Sequence, residues 1–244
     1  PLAAQMIVSL PPAINEINKR DLIQIKSGAD YAMKKATCKI IGGHSYSNND
    51  DQVYLGFSII GKKKNYVKSK RIKKGNLYIT GKIGSALVFA AIEKKIISGM
   101  YSEEVINTMK QSNYEIFKIF SKFSIQHITD ISGFGLAIHA NNLLLRNSDL
   151  NGLEISLKKV PLYKGAIEAL NNNVKSSLND ANKNSIINNL RVDYDKINKN
   201  YLNSLFDPQT AGGFLFILDP SQKRILNELA KKKIEREKMV DKMK

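Results

Sequence analysis

The chain has 244 residues, 43% hydrophobic and 25% charged, which is ordinary for a globular protein and enough to bury one or two cores. No apolar run approaches the roughly 20 residues needed to cross a bilayer, so no membrane partner is expected. The formal charge of +16 is nearly all Lys, spread through "GKKKNYVKSKRIKKG" and a lysine-rich tail without aromatic interleaving, so we read a solvated basic surface and no nucleic-acid partner.

The lone cysteine, Cys38, excludes an intrachain disulfide and fits a reducing, cytoplasmic compartment. It reads as a structural thiol, because nothing in "KKATCKII" would activate it. The chain opens on Pro1 rather than Met, and is read as a fragment or processed chain.

In chain order, "PLAAQMIVSL" closed by Pro11-Pro12 reads as a buried strand, and Arg20 to Thr37 as a helix with Leu22, Ile25, Ala29 and Met33 on one face. "CKIIGG" reads as a strand running into a glycine pair. "QVYLGFSIIG" reads as a period-two strand with Val53, Leu55, Phe57 and Ile59 on one face. The basic stretch 62 to 74 is a connector, which places domains at 1–71 and 72–244. Beyond it "LYIT" is a strand and Gly84 introduces a helix. Ser102 reads as the N-cap of a further helix, with Glu103 and Glu104 in its first turn. That helix carries Val105, Met109, Ile116, Phe120 and Phe123 on one stripe. Ser112 and Asn113 interrupt the stripe, so one of them needs a buried backbone partner.

Next come "HITDISGFGLAIHA", a strand at "LEISL", a helix at "YKGAIEAL" and an Asn-rich stretch, 171 to 200, with helical patches. A strand at "FLFIL" follows, then a capping box at Asp219-Pro220-Ser221-Gln222. The alternation of strands and helices favours an α/β or α+β build.

Three stretches could carry chemistry. Gly42-Gly43-His44 follows a strand, where glycines let backbone amides approach a phosphate; a plain turn is the blander reading and the favoured one. In "TDISGFG", Gly133 and Gly135 form a strand-to-helix turn. Asp130 there is either a helix cap, a role Ser132 could share, or a hard oxygen for Mg²⁺ beside an anion at the helix start. His139 reads as packed or hydrogen-bonded rather than a ligand, and scattered His and Cys argue against zinc. In "DPQTAGG", a loop accounts for Asp207, Pro208 and the glycines but leaves Gln209 and Thr210 unexplained.

Together the stretches resemble selenophosphate synthetase (selenide, water dikinase), in the aminoimidazole ribonucleotide synthetase-like superfamily. The family patterns "GGH", "TDxTGFG" and "DPQTxGG" match Gly42-Gly43-His44, Thr129 to Gly135 and Asp207 to Gly213, in order. The combination is specific, since thiamine-monophosphate kinase and the hydrogenase maturation factors use different sequences at these places. "VPLYKGAIEAL" and "SLFDPQTAGGF" look closest to the branch fused behind a flavin-type oxidoreductase.

The resemblance implies an amino-terminal domain that builds a barrel across a homodimer, followed by an α/β carboxy-terminal domain. It implies a reaction in which ATP, selenide and water give selenophosphate, AMP and phosphate, with Mg²⁺ required. By position, Asp130 matches a metal-binding aspartate and Gly42, Gly43 and His44 an ATP-contacting segment. Thr129, Gly133, Gly135, Asp207, Gln209 and Thr210 are the supporting loops. Departures are also present. The family's glycine-rich segment with Cys or selenocysteine and Lys, and its other metal-binding aspartates, have no match in residues 1 to 244, and Cys38 does not take the catalytic position. The usual "TKPLGTG" is altered to Thr80-Gly81-Lys82-Ile83-Gly84-Ser85-Ala86, and the tail "KKKIEREKMVDKMK" reads as continued helix where the family finishes with a strand. The expectation is an incomplete enzyme, inactive by itself. The rivals are another ATP-using enzyme of the superfamily and a non-catalytic ATP-binding or dimerisation module.

Overall fold

The computed structural model describes residues 1–62, 72–123, 125, 127–222, 224–233 and 241–243. The chain forms two compact units, Pro1–Val67 and Lys68–Lys244. Most of the basic connector, residues 63–71, lies outside the described residues.

The first unit is a three-stranded sheet with one helix. Strand β1 (Ala3–Leu10) is central, parallel to β2 (Lys39–Ser47) and antiparallel to β3 (Tyr54–Ile60), and helix α1 spans Asn15–Lys35. Alternation in β1 puts Met6, Val8 and Leu10 into a small core with Ala29, against which Leu22, Ile25 and Ile40 pack. Helix α1 begins five residues before the expected Arg20 and ends at Lys35, with Thr37 in the left-handed region. Cys38 is buried, as a structural thiol would be.

The glycine pair is not a turn. Strand β2 runs straight through Gly42, Gly43 and His44, which pair with Gln5, Met6 and Ile7. A register shift between Ala4 and Gln5 leaves Ile41 as the extra residue of a bulge. There the two backbones approach so closely that a Cβ on Gly43 would lie 1.9 Å from the Met6 carbonyl oxygen. Gly43 is required by strand packing.

The second unit holds β4 (Asn76–Ile79), α2 (Ser85–Glu93), α3 (Tyr101–Met109), α4 (Tyr114–Lys122), β5 (Ile128–Asp130) and α5 (Gly135–Leu145). It continues with α6 (Lys164–Asn171), α7 (Asn179–Ile186), α8 (Lys199–Leu202), β6 (Phe214–Leu218), α9 (Arg224–Lys233) and β7 (Asp241–Met243). The sheet order is β5-β6-β4-β7 with every neighbouring pair antiparallel, the α+β form of the expected class. Alternation splits its side chains between two cores. Leu77, Ile79, Leu215 and Ile217 pack with Leu136 and Leu143 of α5 on one face. Tyr78, Phe216 and Leu218 pack with Phe120 of α4 and Ile225 of α9 on the other. A third core joins α2, α3 and α6 through Val88, Val105 and Ala166.

Four expectations are corrected here. Helix α3 begins at Tyr101 behind Met100, and the Ser102 hydroxyl donates to the Gly99 carbonyl (2.6 Å) instead of accepting from an amide. Glu103 and Glu104 do sit in its first turn. The long striped helix is two helices, α3 and α4, whose apolar faces enter different cores. Asn113, at the break, donates to the Gly212 carbonyl (2.9 Å), the backbone partner the interruption called for. "LEISL" forms no strand: Leu153, Ile155 and Leu157 reach the core from an irregular segment and a short 3₁₀ turn. The tail does not continue as helix to its end, because Asp241–Met243 completes the open edge of β4 as β7. The capping box is present: Asp219 Oδ1 accepts from the Ser221 amide (2.9 Å), and Gln222 Oε1 accepts from the Asp219 amide (3.1 Å).

Candidate functional site

Strand β5 ends at Asp130, whose backbone pairs with Phe214 of β6. The fully buried Ile131 then anchors the chain, its amide bonded to the Gly213 carbonyl (2.9 Å). The Ser132 amide donates to His139 Nε2 (3.1 Å), which places the imidazole proton on Nδ1. The Ser132 carbonyl accepts from the Gly135 and Gln209 amides, 3.0 Å each. Gly135, at φ 75°, then opens α5. A Cβ there would lie 2.8–3.0 Å from backbone atoms of Leu205, Phe206 and Asp207. The two motifs "TDISGFG" and "DPQTAGG" are therefore packed backbone to backbone.

Neither Asp130 nor Ser132 caps α5. The N-cap is Phe134, and among the described residues no side-chain cap bonds the helix start. Asp130 is exposed, and among the described residues no donor reaches its carboxylate. His139 is buried and hydrogen-bonded, as expected. Burial holds it below the ordinary imidazole value, helped by Arg146 and opposed by Asp130. Thr129 is half-buried, and its hydroxyl donates to the Asp130 carbonyl (3.1 Å).

The loop at 207–213 explains Gln209. Helix α2 has Gly84 as N-cap in a left-handed conformation and no cap from its own segment. Instead Gln209 Oε1 accepts from the Gly84 amide (3.0 Å), the Ser85 amide (3.2 Å) and the Ser85 hydroxyl (3.1 Å). Gln209 Nε2 in turn donates to the Asp207 carbonyl (2.8 Å) and to Asp207 Oδ2 (2.9 Å). Gln209 is a buried helix cap supplied from more than a hundred residues away. Thr210 is exposed, and its amide donates to Ser85 Oγ (3.2 Å). The altered Thr80–Ala86 segment is well tied: Thr80 Oγ1 accepts from the Phe214 amide (2.8 Å), and Lys82 pairs with Glu104.

Asp207 is fully buried, and burial pushes its carboxyl up to about 6, against the Ser176 and Gln209 side chains and the Leu87 and Ala86 amides. An acid with a raised folded pKa holds its proton more tightly when folded. Its contribution to stability is therefore full below the ordinary value of 3.8 and is lost as the pH rises through about 6. The carboxamide of an Asp207→Asn variant would not ionise. Denaturant unfolding at pH 4.5 and 7.5 should show the wild type losing roughly 2 kcal/mol relative to that variant across the interval. A pH-independent difference would contradict the account.

No family model matches the chain. It is 28% identical over 222 residues to the selenide, water dikinase of Clostridioides difficile, a match covering 88% of this chain and 60% of that protein. It is 25% identical over 223 residues to the selenide, water dikinase of Trichlorobacter lovleyi, covering 90% and 62%. The chain is similar in sequence to the selenide, water dikinases. It spans about three-fifths of the length of the curated relatives it matches. Among solved structures, the E. coli hydrogenase maturation protein HypE matches all of this chain and 66% of its own at TM-score 0.62 and 9% identity. AaThiL complexed with AMPPCP and TMP matches 100% and 66% at TM-score 0.58 and 15% identity. These two structures share the fold of this chain.

The structure divides the expected site residues. Thr129, Asp130, Gly133 and Gly135 are gathered with Asp207, Gln209 and Thr210 in the second unit, whereas Gly42, Gly43 and His44 lie exposed along β2 in the first. The His44 and Tyr46 rings stack with centroids 6.0 Å apart. Sequence reasoning missed Ser85 and Asn182. Asn182 is buried and donates to the Gly133 carbonyl (2.9 Å), within a stretch whose composition reads as low complexity. The only signal was a helical patch in an Asn-rich run.

Proposed function

We propose that this chain is part of an enzyme that makes selenophosphate from ATP, selenide and water, releasing AMP and phosphate. Asp130 carries the proposal: an exposed carboxylate, without a donor among the described residues, at the opening of α5. Such a group suits Mg²⁺, which takes one or two carboxylates together with substrate phosphate oxygens and water. Among the described residues no group of three or more His, Cys, Asp or Glu side chains gathers, so Asp130 would be one ligand among others. A cation there would neutralise phosphate charge, the main requirement of phosphoryl transfer.

The chain's own residues have two tasks in this reading. Asp130 and the loop through Gly133 and Gly135 hold the metal-bound phosphates, while Asp207, Gln209 and Thr210 fix α2 and the loop's rear face. Gly42, Gly43 and His44 are proposed to contact ATP from β2. Support comes from the names of the curated relatives and from HypE in complex with ATP, which has this fold at TM-score 0.61 and 12% identity. The protein is placed in the cytoplasm, as its single free cysteine suggests.

A homodimer belongs to the same proposal. Leu55, Phe57 and Ile59 of β3 share the face of Val8, Met6 and Ala4 by register, yet all three are exposed, as are Tyr54 and Ile60 on the other side. An apolar edge strand open on both faces favours association. Light scattering at micromolar concentration should give twice the chain mass, and a monodisperse monomer would contradict it.

The reaction itself is tested by phosphorus NMR on a protein of the relatives' full length that includes this chain. Selenide-dependent formation of selenophosphate and AMP is expected there, and none from residues 1 to 244 alone. ATP hydrolysis indifferent to selenide would overturn the substrate assignment.

A further inference from the structure

Asn182 does something the motifs do not announce. It lies on α7, buried, and its amide nitrogen donates two hydrogen bonds of 2.9 Å, to the Gly133 and Phe206 carbonyls. A carboxamide nitrogen has two protons, and both are used. The two acceptors lie in the two segments that meet at the start of α5: Gly133 between Asp130 and Gly135, and Phe206 directly before Asp207. The rest of the loop is fastened by the Ile131 amide to Gly213, the Ser132 amide to His139, and the Ser132 carbonyl to the Gly135 and Gln209 amides. Gly133 itself is exposed, and a Cβ there would meet nothing within 4 Å. The side-chain face of its peptide is open. Among the described residues, the hydrogen bond to its carbonyl comes from the Asn182 amide.

We propose that Asn182 is a positioning residue, pinning the Gly133 peptide to Phe206 so that the chain between Asp130 and α5 keeps one conformation for a metal-bound nucleotide. This rests on the reading of Asp130 given above. The bland alternative is that Asn182 merely docks α7. The same helix contains the control. Asn179, one turn earlier and fully buried, donates to the Asn203 carbonyl (2.7 Å) and fastens α7 with no bond to the loop.

Asn182→Ala and Asn179→Ala should both lower stability, since each leaves a buried or part-buried carbonyl short of a donor. Only Asn182→Ala should speed hydrogen exchange at the amides of residues 132–136 in the ligand-free chain, by about tenfold. Only Asn182→Ala should weaken binding of ATP with Mg²⁺, again by about tenfold, the scale of one hydrogen bond. Asn182→Ser, which cannot span both carbonyls, is the second variant should the alanine form fail to fold. Equal loop exchange in the Asn179 and Asn182 variants overturns the proposal. So does a loosened loop with unchanged Mg²⁺–ATP affinity. If the wild type itself binds no nucleotide in a Mg²⁺-dependent way, the reading of Asp130 fails, a result distinct from wild-type binding that Asn182→Ala leaves intact.

Discussion

Asp130→Asn should lower the activity of the full-length protein at least roughly a hundredfold while its melting temperature stays within about 1 °C of wild type. The magnitude is that of losing one transition-state stabiliser. Asn keeps the shape of Asp and would cap a helix equally well. The structure removes the cap role anyway, because the N-cap of α5 is Phe134 and among the described residues no side-chain cap bonds the helix start. Since no described donor reaches the Asp130 carboxylate, its removal costs the fold nothing identifiable. What is lost is a negative charge suited to a hard cation. Unchanged activity at saturating ATP and low Mg²⁺ would leave Asp130 without a role.

Gly135→Ala should have the opposite signature, destabilising the second unit by roughly 3 kcal/mol or more. Placing a side chain at φ 75° costs about 1–3 kcal/mol in itself. The new methyl would also lie 2.8 Å from the Phe206 carbonyl carbon and 2.9 Å from the Leu205 carbonyl oxygen. Those are backbone atoms, and they cannot turn aside as the end of a flexible side chain could. Denaturant unfolding of Gly135→Ala against Gly133→Ala checks this. Gly133 has open space around its missing Cβ, so its alanine variant should lose far less. Equal losses would show that close approach is not what requires glycine at 135.

Much of the fold was legible because apolar runs and their punctuation carried it. The short apolar runs of β1 and β6, the Gly84 helix start and the Asp219–Gln222 capping box are local signals, and the structure contains each of them. Misreadings arose where a local signal has a non-local owner. Gln209 looks like an unexplained loop residue because the helix it caps lies more than a hundred residues earlier. Gly42-Gly43 looks like a turn because only the approach of β1 reveals that Gly43 is a strand residue. "LEISL" alternates like a strand, but apolar contacts rather than a ladder satisfy it. Ser102 has a cap's composition, yet its hydroxyl turns back to Gly99. At the candidate site, Asp130, Gly133 and Gly135 stood out by type and spacing. Asn182 was hidden by its Asn-rich surroundings, where composition masks a side-chain amide that reaches the loop.

The most direct test of the central claim is calorimetric titration of the chain with ATP, with and without Mg²⁺, for the wild type and Asp130→Asn. If Asp130 is the metal's protein ligand, Mg²⁺ should tighten wild-type binding by about tenfold or more and leave the affinity of Asp130→Asn nearly unchanged. The same Mg²⁺ dependence in both proteins, or no nucleotide binding in either, would contradict the assignment of this loop as a metal–nucleotide site.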